Sequence, residues 1–134
     1  MAFDGTLVSF GSYNIPMKFI KYDTYVITPN IRLDLDSYRD ADGVLHRNAL
    51  KHTTTKIEFE TPPLHEIDMD NLMRNIRSQY KNYNEKNATC TYYDPETGIY
   101  KTGEFYMPDF KFQIYSVSNG WITYRPLRIA LIEY

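Results

Sequence analysis

A chain of 134 residues with 43% apolar and 24% charged side chains is too apolar to be disordered, and it has room for one core but not for two catalytic layers. Fifteen Lys plus Arg against 17 Asp plus Glu leave a net charge of -2, which excludes a global attraction to nucleic acid or to an anionic membrane surface. No apolar run is long enough to span a bilayer.

The 13 Tyr, 7 Phe and 1 Trp fit pleated, half-buried sheets and interfaces, so composition points to β structure. The first residues carry an acid at Asp4 and no basic region ahead of an apolar core, and they do not read as a secretory signal. Residues 6–10 and 15–20, separated by Gly11-Ser12-Tyr13-Asn14, read as a hairpin. Residues 21–28 alternate, and Pro29, which has no N–H to donate, is expected to end that strand. Residues 29–52 hold a run of acids and arginines with the turn signal Asp42-Gly43. They are expected to form a long loop or an extended hairpin, which by its length is functional or mobile.

Residues 53–61 alternate Ile57 and Phe59 with Lys56, Glu58 and Glu60, as in a strand with one wet face, and Pro62-Pro63 closes it. Over 68–83 the period changes to steps of three and four through Met69, Leu72, Met73, Ile76, Tyr80 and Tyr83, which predicts a helix with Asp68 as its N-cap. Residues 88–93 and 99–107 flank Asp94-Pro95-Glu96-Thr97-Gly98 as a second hairpin. Residues 110–115, the turn Ser118-Asn119-Gly120, and residues 121–126 and 127–133 complete a third, with Pro108 and Pro126 expected at bulges or edges. The order is about three strands, a long loop, one strand, one helix and four further strands. It predicts a single domain, mainly β with one α-helix, built as an antiparallel β-sandwich of two packed sheets flanked by the helix.

Chemical motifs are expected to be absent. Asp40-Ala41-Asp42-Gly43 resembles part of a calcium loop, but that template places Ala49 where a bidentate Glu is required, so it reads as a hairpin tip. His65-Glu66 lacks the second histidine of a zinc protease, since position 69 is Met. His46 and His52 are expected to hydrogen-bond locally, and the single cysteine, Cys90, to be a packed thiol in a protein made in a reducing compartment. There is no phosphate loop, nucleophile elbow or dinucleotide fingerprint, so no catalytic residue, metal or cofactor is assigned. In consecutive pairs such as Tyr92-Tyr93 one ring must face away from a single core. Such exposed tyrosines suit sugar stacking in a carbohydrate-binding module, contacts with neighbouring subunits, or ordinary cross-strand packing.

The run from Asn30 to Thr61 resembles a family of short tail proteins from phages and prophages of Gram-positive bacteria, and the resemblance spans most of the chain. Within it, Ser37-Tyr38-Arg39-Asp40-Ala41-Asp42-Gly43-Val44-Leu45 is similar to the hub domain of distal tail proteins, where an Arg-Asp-Gly-like turn precedes a strand. The resemblance implies a tail-tube-like fold and a ring-forming distal tail or hub protein that connects the tail tube to the tail tip or baseplate. The alternative it leaves is a tail-tube or tail-completion protein of the same fold. The implied partners are copies of itself in a hexameric ring and the tube, tape-measure and tip or baseplate proteins. DNA would pass through without being specifically bound, nothing would insert in a membrane, and the protein would be made in the host cytoplasm and reside in the virion. The second, carbohydrate-binding domain of longer distal tail proteins has no counterpart up to Tyr134. In such a ring Arg32, Asp34, Asp36, Tyr38, Arg39, Asp40, Asp42, His46 and Arg47 are the expected subunit interface, pairing charges across the boundary while Leu33, Leu35, Val44 and Leu45 bury apolar area.

Overall fold

The computed structural model describes residues 3–134. Its elements are β1 (Val8–Phe10), β2 (Tyr13–Asn14), β3 (Val26–Asp34), β4 (Tyr38–Arg39), β5 (Leu45–His46), β6 (Ala49–Glu60), β7 (Leu64–His65), α1 (Glu66–Ser78), β8 (Asn87–Asp94), β9 (Ile99–Tyr106), β10 (Ile114–Ser118), β11 (Trp121–Tyr124) and β12 (Arg128–Glu133). A seven-stranded sheet runs β2-β1-β8-β9-β12-β6-β3, a three-stranded sheet β10-β11-β7, and β4 and β5 form a small pair of their own. All neighbours pair antiparallel.

The large sheet turns a corner at β12. That strand pairs with β6 from Arg128 to Ile132 but with β9 only through Ile132 and Glu133. Its two halves therefore face each other across a core, as sandwiched sheets do. Val8, Phe10, Cys90, Tyr92 and Phe105 come from one half and Ile57, Phe59, Ile129 and Leu131 from the other, none more than 3% exposed. The hydroxyls of Thr55 on β6 and Tyr92 on β8 meet at 3.0 Å across this interior. Helix α1 lies against β7 and β11 and adds Met69, Leu72, Met73 and Ile76 to the core, the stripe its three-and-four spacing predicts.

Several boundaries differ from the sequence expectation, each for a physical reason. The helix spans Glu66–Ser78 rather than 68–83, and its N-cap is His65, whose Nδ1 accepts the Ile67 N–H at 3.2 Å, so Asp68 falls in the first turn. Its end comes early because Gln79 is used elsewhere, accepting from the Ser12 N–H at 2.9 Å and the Ser12 hydroxyl at 3.0 Å, while the Tyr80 ring packs edge-on to Phe10 at 5.8 Å. Residues 15–20 are no strand: Met17–Phe19 form a 3-10 turn that buries Ile15, Phe19 and Ile20. Pro29 does not end β3, because β3 is an edge strand and bulges between Thr28 and Ile31, where no N–H is required. The strand expected from residue 110 begins at Ile114, and Pro108 and Pro126 lie in the connections after β9 and β11. The Asn119-Gly120 turn forms as expected, with both φ angles positive at 55° and 79°.

Phe105 is fully buried, with its ring edge-on to Tyr92 at 5.4 Å. Phe105→Ala should therefore lower the free energy of unfolding by about 3–5 kcal/mol. Denaturant titration checks this, and a loss below about 1 kcal/mol would contradict the packing described.

Candidate assembly surface

Strands β3 and β6 are longer than the sheet they belong to. Val26–Thr28 pair with Lys56–Glu58, then Ile31 and Arg32 with Thr54 and Thr53, and Asp34 with Ala49, after which β4 and β5 carry the hairpin to its tip. Residues 29–52 are thus an extended hairpin, the second of the two forms expected. From Arg32 to His52 every residue except Asp40 is exposed, so this arm has no core of its own.

Polar contacts shape it instead. Arg47 grips Asp34 with two parallel bonds, Nε to Oδ2 at 3.1 Å and Nη2 to Oδ1 at 3.0 Å. At the tip, one Asp40 carboxylate oxygen accepts the N–H groups of Asp42 and Val44 at 2.9 and 3.0 Å, and the other meets His46 Nε2 at 2.8 Å. The His46 contact first, then the Val44 N–H, hold the Asp40 carboxyl below the usual carboxylate range. Tyr38 stacks on His46 with ring centroids 4.9 Å apart, and Arg39 donates to the Gly43 carbonyl at 2.8 Å. Six of the nine expected interface residues are thereby brought together and paired inside the arm, while the side chains of Arg32, Asp36 and Asp42 have no hydrogen-bond partner among the described residues. Exposed ion pairs of this kind add little stability. Their effect is to neutralise the arm, leaving Leu33, Leu35, Tyr38, Val44, Leu45 and Leu50 outward with exposures of 37% to 61%.

The root of the arm is held by a buried carboxylate. Asp94, at the end of β8, has no exposed surface. It accepts from Asn30 Nδ2 at 2.9 Å, the Glu96 N–H at 2.9 Å and the Thr97 hydroxyl at 2.9 Å, and pairs with Lys101 Nζ at 3.0 Å. Asn30 is the pivot, left-handed at φ 53° within the β3 bulge. Its amide also donates to Glu96 at 2.8 Å, its oxygen accepts from Lys101 at 3.1 Å, and its N–H reaches Thr55 Oγ1 at 3.3 Å. Burial pushes the Asp94 carboxyl up, but the bonds from Asn30, Lys101, the Glu96 N–H and Thr97 outweigh it and hold the carboxyl at about 2.

A second exposed surface lies on the β10–β11 hairpin. Residues 113–124 contain no charged side chain, yet Ile114, Tyr115, Val117 and Trp121 are 47% to 68% exposed. The sequence marks this stretch as a hairpin through Asn119-Gly120. Its character as a surface is signalled by the missing charges, which a reading of periodicity does not weigh. Beside it, Met69, Met73, Phe112, Ile114 and Tyr124 line an open groove of about 490 Å³ rimmed by Glu66, Asp70 and Arg77.

The tyrosines and the cysteine have definite places in the fold. The most exposed tyrosines, Tyr22, Tyr38, Tyr83 and Tyr115, sit on four separate parts of the chain, and no aromatic pair among the described residues joins two of them. Tyr92 is buried while Tyr93 beside it is not, as the alternation requires. Cys90 is buried, and burial pushes its thiol up to about 12, far from a nucleophile's range. Among the described residues no three His, Cys, Asp or Glu side chains cluster as metal ligands, and no helix is long and apolar enough to cross a membrane.

Because the folded Asp94 carboxyl at about 2 lies below its ordinary 3.8, it adds stability above about pH 4 that is lost as pH falls through about 2. Asp94→Asn leaves Lys101 without its ionic partner and should cost about 1–3 kcal/mol near neutral pH. Denaturant midpoints from pH 7 to pH 2 should also show a smaller acid-side loss in the variant than in the parent. Equal losses in both would remove Asp94 as the anchor.

The fold is similar to that of chains in two solved particle structures. One is the tail of an empty gene transfer agent particle with C6 symmetry, at 13% identity and a TM-score of 0.54 over 97% of this chain and 91% of that one. The other is the virion of a native gene transfer agent particle, at 15% identity and a TM-score of 0.53 over 97% and 91%. No curated protein matches the chain in sequence. Residues 1–134 match the model of a family of unknown function, DUF6711, to which the chain belongs.

Proposed function

We propose that this protein is a structural component of a phage or prophage tail, acting by assembly and not by catalysis. In this reading the whole chain is one tail-tube-like domain that forms a hexameric ring near the distal end of the tail. There it connects the tail tube to the tip or baseplate as a distal tail or hub protein of a phage of Gram-positive bacteria. The observation that carries the reading is the arm: a long hairpin without a core, with Asp34–Arg47 and Asp40–His46 paired within it and its apolar side chains outward. An isolated monomer gains nothing from such an arm, whereas a subunit that must grip a neighbour does. The likeness in fold to chains of a gene transfer agent tail described with C6 symmetry and of a gene transfer agent virion supports the same reading.

The ring would contact the tube, tape-measure and tip or baseplate proteins. DNA would pass through its lumen without specific binding, which a net charge of -2 suits. The protein would be made in the host cytoplasm and reside in the virion. A tail-tube or tail-completion protein shares this fold and differs in its position along the tail. The scattered exposed tyrosines favour subunit contacts over a sugar-binding platform.

Deleting residues 34–46 should leave a folded monomer and abolish assembly, because those residues contribute no buried apolar side chain. Circular dichroism and light scattering check the two halves of this outcome. An unfolded product, or a truncated chain that still assembles, would contradict it.

A further inference from the structure

We infer that the uncharged β10–β11 hairpin is the seat for the arm of a second copy of this chain, so that each copy gives an arm on one side and receives one on another. This rests on the ring-forming reading above and names the partner surface which that reading needs.

The hairpin is a weakly guarded edge. β10 is the outer strand of its sheet, paired only with β11, so its far side offers free N–H and C=O groups beside Ile114, Tyr115 and Val117. Proteins commonly guard such edges with charges, prolines or strong bulges. Here the guards are one register shift between Ile114 and Ser116 and a single cation, Arg125, whose guanidinium lies 5.0 Å from the Tyr115 ring centroid, while residues 113–124 themselves carry no charge. Left bare, a strand of this kind invites non-specific pairing, so it is a surface that needs a cover.

Electrostatics selects that cover. An uncharged apolar surface is matched by a partner that brings apolar area without stranding a charge away from water. The outer side of α1 does not qualify, since Glu66, Asp68, Asp70, Arg74 and Arg77 crowd it. The arm comes closer: Asp34 with Arg47 and Asp40 with His46 are already paired, Leu33, Leu35, Val44 and Leu45 remain outward, and the charges left without a partner among the described residues, Arg32, Asp36, Asp42 and Lys51, are exposed to water. Its β4–β5 tip is a sheet of two strands with both outer edges unpaired, able to continue the β10 ladder. Because the giving and receiving surfaces differ, the contact is heterologous, and repeating it closes a ring when the rotation fits.

Two full-length variants test this by sedimentation velocity. Val117→Lys damages the hairpin, and Leu35→Asp with Val44→Asp damages the arm; all three sites are more than half exposed, at 68%, 52% and 56%. Unchanged thermal midpoints confirm folding, and Tyr115→Lys replaces Val117→Lys if the latter shifts the midpoint. Each variant alone should associate on the order of thirtyfold more weakly than the parent chain. Mixed one to one, they should give a 1:1 dimer and nothing larger, because only one intact arm and one intact hairpin remain. A Val117→Lys chain that assembles like the parent overturns the proposed contact. So does a mixture that stays monomeric, or an arm variant that dimerises alone through hairpin on hairpin. A parent chain that is itself monomeric at every concentration overturns the ring reading as well, so the two failures are distinguishable.

Discussion

The buried Asp94 carboxylate is the constraint around which the arm is organised. A hairpin with no buried side chain from Arg32 to His52 cannot be aimed by packing, so its direction must be fixed where it leaves the sheet. Asn30 fixes it there. Pro29 and Asn30 make the bulge in β3, the bulge turns the Asn30 amide toward Asp94, and Lys101 and Thr97 lock the carboxylate that receives it. A carboxylate taken out of water tolerates few vacancies in its shell. The arm, the β8–β9 turn and Lys101 on β9 are therefore set together, while Thr55 extends the same network inward to Tyr92 and the core.

Beyond that anchor the molecule divides its surface by charge. The arm carries many ionic groups and pairs Asp34 with Arg47 and Asp40 with His46 within itself, and residues 113–124 of the β10–β11 hairpin carry none. Both end with apolar side chains facing water, as surfaces that bind a partner do. Under the proposed ring the two surfaces become the two sides of one repeated junction.

Much of this architecture is legible in the sequence where a local period decides it. The shift from alternation to three-and-four spacing at Met69, Leu72, Met73 and Ile76 marks the helix, and Asn119-Gly120 and Gly98 mark their turns. What is not legible is set by tertiary neighbours. Pro29 ends a strand only if its N–H is needed, and that depends on β3 being at an edge. Tyr80 and Tyr83 continue the helical spacing, yet Phe10 and Ser12 draw Tyr80 and Gln79 out of it. The apolar residues at 15, 19 and 20 enter the core from a 3-10 turn as readily as from a strand. The acids and arginines of the arm announce a polar excursion, but only the register of β3 on β6 shows that Asp34 faces Arg47 and that these charges are paired at home.

The central claim is that this chain is built to close on copies of itself. Multi-angle light scattering of the intact protein over a hundredfold concentration range, with electron micrographs of the largest species, tests it most directly. One discrete assembly of six-fold rotational symmetry, its population growing with concentration, is the expected result. A protein that stays monomeric throughout, or that grows into particles of no fixed size, would contradict it.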